Sequence, residues 1–132
     1  MDQNNRITVD AHTLIWYIHT ESNTLISDNA MSAIVDAEQD GTIYIPIIAM
    51  YEILWLIEKQ KYPISFDELK KAIKDIPAFK IVPLSYEIME ASEQFKLVEI
   101  HDRIIVATSI VTDTDLVSND LTIRKLYKRV IW

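Results

Sequence analysis

Four acidic residues, Asp10, Glu52, Asp102 and Asp120, are the ones whose types and positions could together do chemistry. In an open parallel sheet, ligands bind beyond the carboxyl ends of the strands, so an acid just after a strand serves a different place from one just before it. Asp10 follows the apolar run Ile7-Thr8-Val9 and Asp120 follows Leu116-Val117-Ser118, whereas Asp113 and Asp115 precede the latter and belong at the far end of the sheet. Glu52 interrupts an apolar helical face: its neighbours at i−4, i−3, i+3 and i+4 are Ile48, Ala49, Trp55 and Leu56, and none is basic. A carboxylate buried there needs a metal or a partner supplied by the tertiary fold. Asp102 stands at the start of the apolar run Ile104-Ile105-Val106-Ala107.

Taken singly, each has a structural explanation, as a helix cap, a turn former or a glutamate held by a helix dipole. Together they repel, since two unit charges about 4 Å apart cost about 1 kcal/mol even in water. Four converging carboxylates call for protons or a divalent cation. Oxygen ligands without cysteine or a histidine pair favour Mg²⁺ (or Mn²⁺) over zinc. The chemistry such a site performs is polarisation of a phosphodiester and activation of water.

Composition removes the main competitors. With no cysteine there is no disulfide framework, thiol nucleophile or iron–sulfur site. The single glycine, Gly41, excludes a Walker A loop and a dinucleotide-binding turn, both of which need several. A formal charge of −7, from 20 acidic against 13 basic residues, argues against holding nucleic acid by bulk phosphate attraction. No apolar run approaches the roughly 20 residues of a membrane span, and the polar start lacks the pattern of a secretory signal. A cytoplasmic chain is expected, and 132 residues suit a single domain over 1–132.

The elements that would position the acids alternate short β-branched runs with segments of helical period, the pattern of an α/β fold with a mainly parallel sheet of four to five strands. Strands are expected at Ile7–Val9, Ile43–Ile45, Lys80–Val82 and Leu116–Ser118, with Val130–Trp132 as a last one. Helices are expected over Thr13–Ile18, from an Asp28 cap to Glu38, over Ala49–Gln60, Ser65–Ile76, from Ser85 with Ile88, Ala91 and Phe95 inward, over Asp102–Thr112 and Thr122–Tyr127. Glu87, Glu90 and Glu93 form a solvated face.

Four blocks then resemble a known family, the PIN domain, and within it the VapC-type toxins of bacterial toxin–antitoxin pairs: Ile7 to Trp16, Tyr51-Glu52-Ile53 with Ile57-Glu58-Lys59, His101 to Thr108, and Leu116 to Asp120 with Ile123-Arg124. The resemblance implies a three-layer α/β/α fold and a Mg²⁺ or Mn²⁺ site on Asp10, Glu52, Asp102 and Asp120. It implies endonucleolytic cleavage of RNA by metal-activated water. It also implies a homodimer and a cognate antitoxin protein whose tail wraps the toxin. The chain departs from many relatives in carrying Ala11 and His12, where a small hydroxyl residue usually follows the first aspartate.

Other residues carry weaker claims. Ser118, Asn119, Arg103 and Arg124 are candidates to support the carboxylates or to meet RNA phosphate. His12 reads as a structural turn histidine, because metal-assisted hydrolysis needs no histidine base. Trp16, Trp55 and Trp132 could stack bases, but their apolar settings suit core or dimer interface. The aromatic stretch Tyr51 to Ile57 is expected at a dimer or antitoxin contact. A catalytically inactive PIN-like module that only binds a partner is the alternative. A phosphoacceptor receiver domain is disfavoured, since Asp10 stands alone and Pro83 follows the third strand.

Overall fold

A computed structural model describes residues 5–132. Five strands, β1 (Arg6–Val9), β2 (Thr42–Pro46), β3 (Phe79–Val82), β4 (Asp115–Val117) and β5 (Val130–Ile131), form one sheet in the order β3-β2-β1-β4-β5. Every pairing is parallel, with Ile7 opposite Ile43 on one side and Asp115 on the other. Parallel strands demand crossover connections, and the helices that provide them cover the sheet. These are α1 (Ala11–Ile18), α2 (Asp28–Asp40), α3 (Ile47–Glu58), α4 (Phe66–Asp75), α5 (Tyr86–Ser92), α6 (Ile100–Thr112) and α7 (Leu121–Leu126). The architecture is the α/β/α one expected.

The central strands are covered on both faces. Ile7 and Val9 of β1 join Leu14, Ile15, Ile34, Ile43, Ile45, Ile53, Leu69 and Val117 in the larger core cluster. Leu116 turns to the other face, with Ile105, Val106 and Ile123. This opposite placement of Leu116 and Val117 follows from the two-residue period of a strand. Thr8, between Ile7 and Val9, is also fully buried, and its hydroxyl meets that of Thr114 at 2.7 Å. The latter lies 3.0 Å from the Thr112 hydroxyl, which donates to the Thr108 carbonyl, so the buried hydroxyls are paired.

Several boundaries differ from expectation for identifiable reasons. Ser27, not Asp28, caps α2, its hydroxyl accepting from the Ala30 N–H at 3.1 Å. Helix α3 begins at Ile47, directly after Pro46, which is preset for a helix entrance. Helix α6 begins before Asp102, because Glu99 caps it through the N–H groups of His101 and Asp102. The polar stretch after α1 is a 3-10 helix over Thr20–Leu25.

Gly41 closes α2 where the chain turns into β2, and the backbone of Asn5 passes directly over it. A Cβ built there would lie 1.6 Å from the Asn5 carbonyl oxygen, the same oxygen that accepts from the Thr42 N–H. Gly41→Ala must therefore push β1 and β2 apart at their entrance. It should cost about 3 kcal/mol, the upper range for overpacking, in urea unfolding. An unchanged midpoint would show that the two segments separate freely.

Candidate active site

The strand order reverses at β1, with β2 on one side and β4 on the other, and in open α/β sheets ligand crevices form at that switch. The chain leaves β1 through Asp10 and β4 through Ser118, Asn119 and Asp120. Asp10 is 6% exposed and caps α1, its Oδ1 accepting from the Thr13 N–H at 3.0 Å. Its Oδ2 accepts from the Ser118 hydroxyl at 2.5 Å. The same Ser118 oxygen accepts from the Asp120 N–H at 3.1 Å, so one buried hydroxyl ties the two strand ends together. Asp120 caps α7 through Oδ1, which accepts from the Ile123 N–H at 3.0 Å. Asp120 is thus the cap that the sequence suggested, and Asp10, expected as a turn former, is a cap as well. Capping engages Oδ1 of Asp120, and the residue is exposed.

Ser118 also answers the departure at Ala11-His12. The hydroxyl absent from the start of α1 is supplied to Asp10 across the sheet, while Thr13 donates its own hydroxyl to the Val117 carbonyl at 3.2 Å. Ser118→Ala would strip Asp10 of one donor and leave the Asp120 N–H without its acceptor. We expect a loss of about 1–3 kcal/mol in stability and a fall of about 10- to 100-fold in any cation-dependent activity. Unfolding and turnover measured on the same preparation check both.

Helices α3 and α6 bring the other two acids to this edge. Asp102, in the first turn of α6, is half-buried, and its pKa is pushed up to about 6. Burial is the main cause, and the charges of Asp120, Glu99, Glu52 and Asp10 add to it. Glu52 is also raised, first by burial, with His12 opposing and Asp10 adding. Asp102 is therefore within electrostatic reach of the other three carboxylates of the sequence reading, and Glu52 of Asp10. Asp113 and Asp115, in contrast, pair with Arg129 at 2.7 and 2.9 Å at the other end of the sheet.

Two residues near the acids were not placed in the set by sequence. His12 sits one turn before Trp16, with Nδ1 4.0 Å from Glu52 Oε2, and supplies the tertiary partner that the apolar helix face of Glu52 required. Glu99 lies beside Asp102. Burial acts to raise its pKa, but hydrogen bonds from the His101 ring and from the N–H groups of His101 and Asp102 hold it below the usual range. Glutamate is an uncommon helix cap, so no sequence signal marked it. Asp10, His12, Trp16, Asn119 and Asp120 line an open cavity of about 270 Å³. The candidate arginines do not converge there: Arg103 is tied to the Ser92 carbonyl at 3.1 and 3.3 Å, and Arg124 is exposed in the last turn of α7.

Whether these residues suit a cation can be judged from their chemistry. Among the described residues, no three His, Asp or Glu side chains close into a ready-made cage. Mg²⁺ keeps most of its waters and takes one or two protein carboxylates, with substrate phosphate completing the shell. Zinc would want the cage. Asp102 and Glu52 are raised first by burial, and neighbouring carboxylates add to both. The donor set fits Mg²⁺ or Mn²⁺.

The family model described as the PIN domain matches residues 7–129. The chain belongs to the PIN domain family. A comparison with curated proteins finds no match. Three solved structures share this PIN fold. VapBC2 from Rickettsia felis, bound to a DNA fragment from its promoter, superposes with a TM-score of 0.65 at 13% identity, over 95% of this chain and 96% of that one. A toxin–antitoxin complex from Klebsiella pneumoniae gives 0.62 at 16%, over 96% of both chains. FitAB bound to the IR36 DNA fragment gives 0.54 at 14%, over 88% of this chain and 86% of that one. At such identities the likeness is one of fold, and it extends over almost the whole chain.

Proposed function

We propose that this PIN domain is a Mg²⁺- or Mn²⁺-dependent endoribonuclease and the toxin of a toxin–antitoxin pair. The observation that supports the reading is the placement of Asp10 and Asp120 at the topological switch of the sheet, with Asp102, raised mainly by burial, within electrostatic reach of both and of Glu52. A bound cation supplies neutralisation of the phosphodiester charge and acidification of water. The protein's part is positioning. Asp10, fixed at both oxygens by Thr13 and Ser118, and Asp120, fixed at one oxygen by its own cap, are the residues that would hold a cation. Asp102 and Glu52 add charge from the helices.

The partners follow from surface chemistry. Tyr51 and Trp55 of α3 are 61% and 57% exposed beside Glu52, an apolar patch of the kind that a protein partner covers. With a charge of −7, the natural complement is a basic antitoxin tail, and the toxin–antitoxin character of the fold's neighbours supports such a partner. A homodimer and a cytoplasmic location belong to the same reading. Among the described residues no helix is long and apolar enough to cross a membrane.

The test is cleavage of a mixed tRNA, rRNA and mRNA pool by the purified chain with Mg²⁺ or Mn²⁺, against EDTA and against Asp10→Asn and Asp102→Asn. Metal-dependent cleavage lost in both variants is the expected result. No cleavage with either metal, and no Mn²⁺ binding by calorimetry, would establish the partner-binding module instead.

A further inference from the structure

The cavity at the switch point is acidic on one part of its lining and aromatic on another. Asp10, Asp120 and Asn119 contribute the polar groups, and His12 and Trp16 the rings. The rings lie one helical turn apart on α1, with centroids 5.8 Å apart and planes inclined at 52°. Both are held from behind. Trp132, at the end of the chain, packs on Trp16 at 5.9 Å, and Tyr62 meets His12 edge-on at 6.2 Å. His12 is still 46% exposed, so the wall is fixed in place yet open to a ligand. Sequence reading assigned these rings to a turn and to a core or interface. Their position in the lining, next to two carboxylates, is information from the tertiary structure alone.

We propose that the His12–Trp16 wall is a base-stacking subsite, which seats one unpaired nucleobase beside the phosphodiester that the acids address. The proposal rests on the nuclease reading and extends it to the form of the substrate. The chain's charge of −7 gives no bulk attraction for phosphate, and Arg103 is engaged by the Ser92 carbonyl, which leaves exposed residues such as Arg124 and Lys125 for phosphate contact. A contact that does not depend on protein charge adds to these. Stacking of a base on an aromatic ring is such a contact, and it accepts any base because every base has a π-face. The rings and the two carboxylates line one open cavity of about 270 Å³, so a base on the rings lies beside a phosphate at the acids. A base seated there must be unstacked from its neighbours. Trp16 and His12 orient that base and take no part in bond breaking.

The experiment measures binding separately from cleavage. A short, unstructured, fluorescein-labelled RNA is titrated with the full chain carrying Asp102→Asn, in Mn²⁺, and one abasic position is moved along the RNA. One position is expected to weaken binding about tenfold, the scale of a single base–aromatic stack. Trp16→Leu should weaken binding of the intact RNA by the same factor and make the abasic RNA no worse, whereas Trp16→Phe should keep most of the affinity. Because the abasic scan leaves the protein unaltered, misfolding of Trp16→Leu does not spoil the test. A flat abasic scan alongside intact metal-dependent cleavage by the unsubstituted chain would overturn the subsite and leave the nuclease standing. An abasic-sensitive position without cleavage under any metal would do the reverse. If Trp16→Leu binds RNA normally and instead loses an arginine-bearing basic peptide, the wall serves a protein partner by cation–π contact and the proposal fails.

Discussion

Asp102→Asn should lower RNA cleavage by about 10³-fold, the scale on which removal of a preorganised charge-stabilising group acts, while making the cation-free protein more stable. The two effects have one cause. Burial and four neighbouring acids raise the Asp102 pKa from 3.8 to about 6, so the folded chain holds this proton more tightly than the unfolded chain does. By linkage, the stability contributed by the neutral carboxyl is complete below about pH 4 and is lost as pH rises towards 6. Such a displacement would be worth about 3 kcal/mol in a fully buried group, and solvent screening of a half-exposed one leaves about 1 kcal/mol. Asparagine cannot ionise, so at pH 7 the variant should unfold a few degrees higher, with a flatter dependence on pH between 4 and 6. Calorimetric unfolding of both proteins in EDTA checks the sign. A variant that is both inactive and less stable would show Asp102 to be a structural residue of α6, not a strained member of the acidic cluster.

Saturating Mn²⁺ should offset the same repulsion from outside. At a concentration one hundred times its Kd, a ligand that binds only the folded chain stabilises it by about 2.7 kcal/mol, near 10 °C in a domain of this size. The rise should be smaller at pH 5 than at pH 7. At pH 5 the Asp102 proton must be displaced before the carboxylate can serve, which lowers the apparent affinity about tenfold. EDTA should reverse the shift, and Asp10→Asn should abolish most of it, since Asp10 is the buried, doubly fixed carboxylate. A transition that Mn²⁺ leaves unmoved at both pH values would mean that the acids repel without recruiting a cation. The partner-binding alternative would then be preferred.

The sequence by itself determined the fold class and the end of the sheet to which Asp10 and Asp120 are carried, because both rest on local periodicity. Short β-branched runs such as Ile43-Tyr44-Ile45, alternating with segments of helical period, read as strands of a parallel sheet, and an acid immediately after such a strand is carried to the sheet's carboxyl edge. The aspartates after β1 and β4, and those before β4, were sorted correctly on that ground alone.

What depended on residues far apart in the chain was decided only by the tertiary structure. The 108-residue separation between Asp10 and Ser118 hides the hydroxyl that fixes the first by way of the second. The partner of Glu52 is invisible on its own helix and arrives from α1 as His12. The choice between Asp102 and Glu99 as cap of α6 turned on side-chain geometry at the helix start. Trp16 reads from sequence as one more apolar residue of α1, and becomes the wall of an acidic cavity because parallel pairing of β1 with β4 brings Asn119 and Asp120 against it. Periodicity specifies which face of an element is apolar. Which opening that face borders is set by strand order, a long-range property that no local pattern encodes.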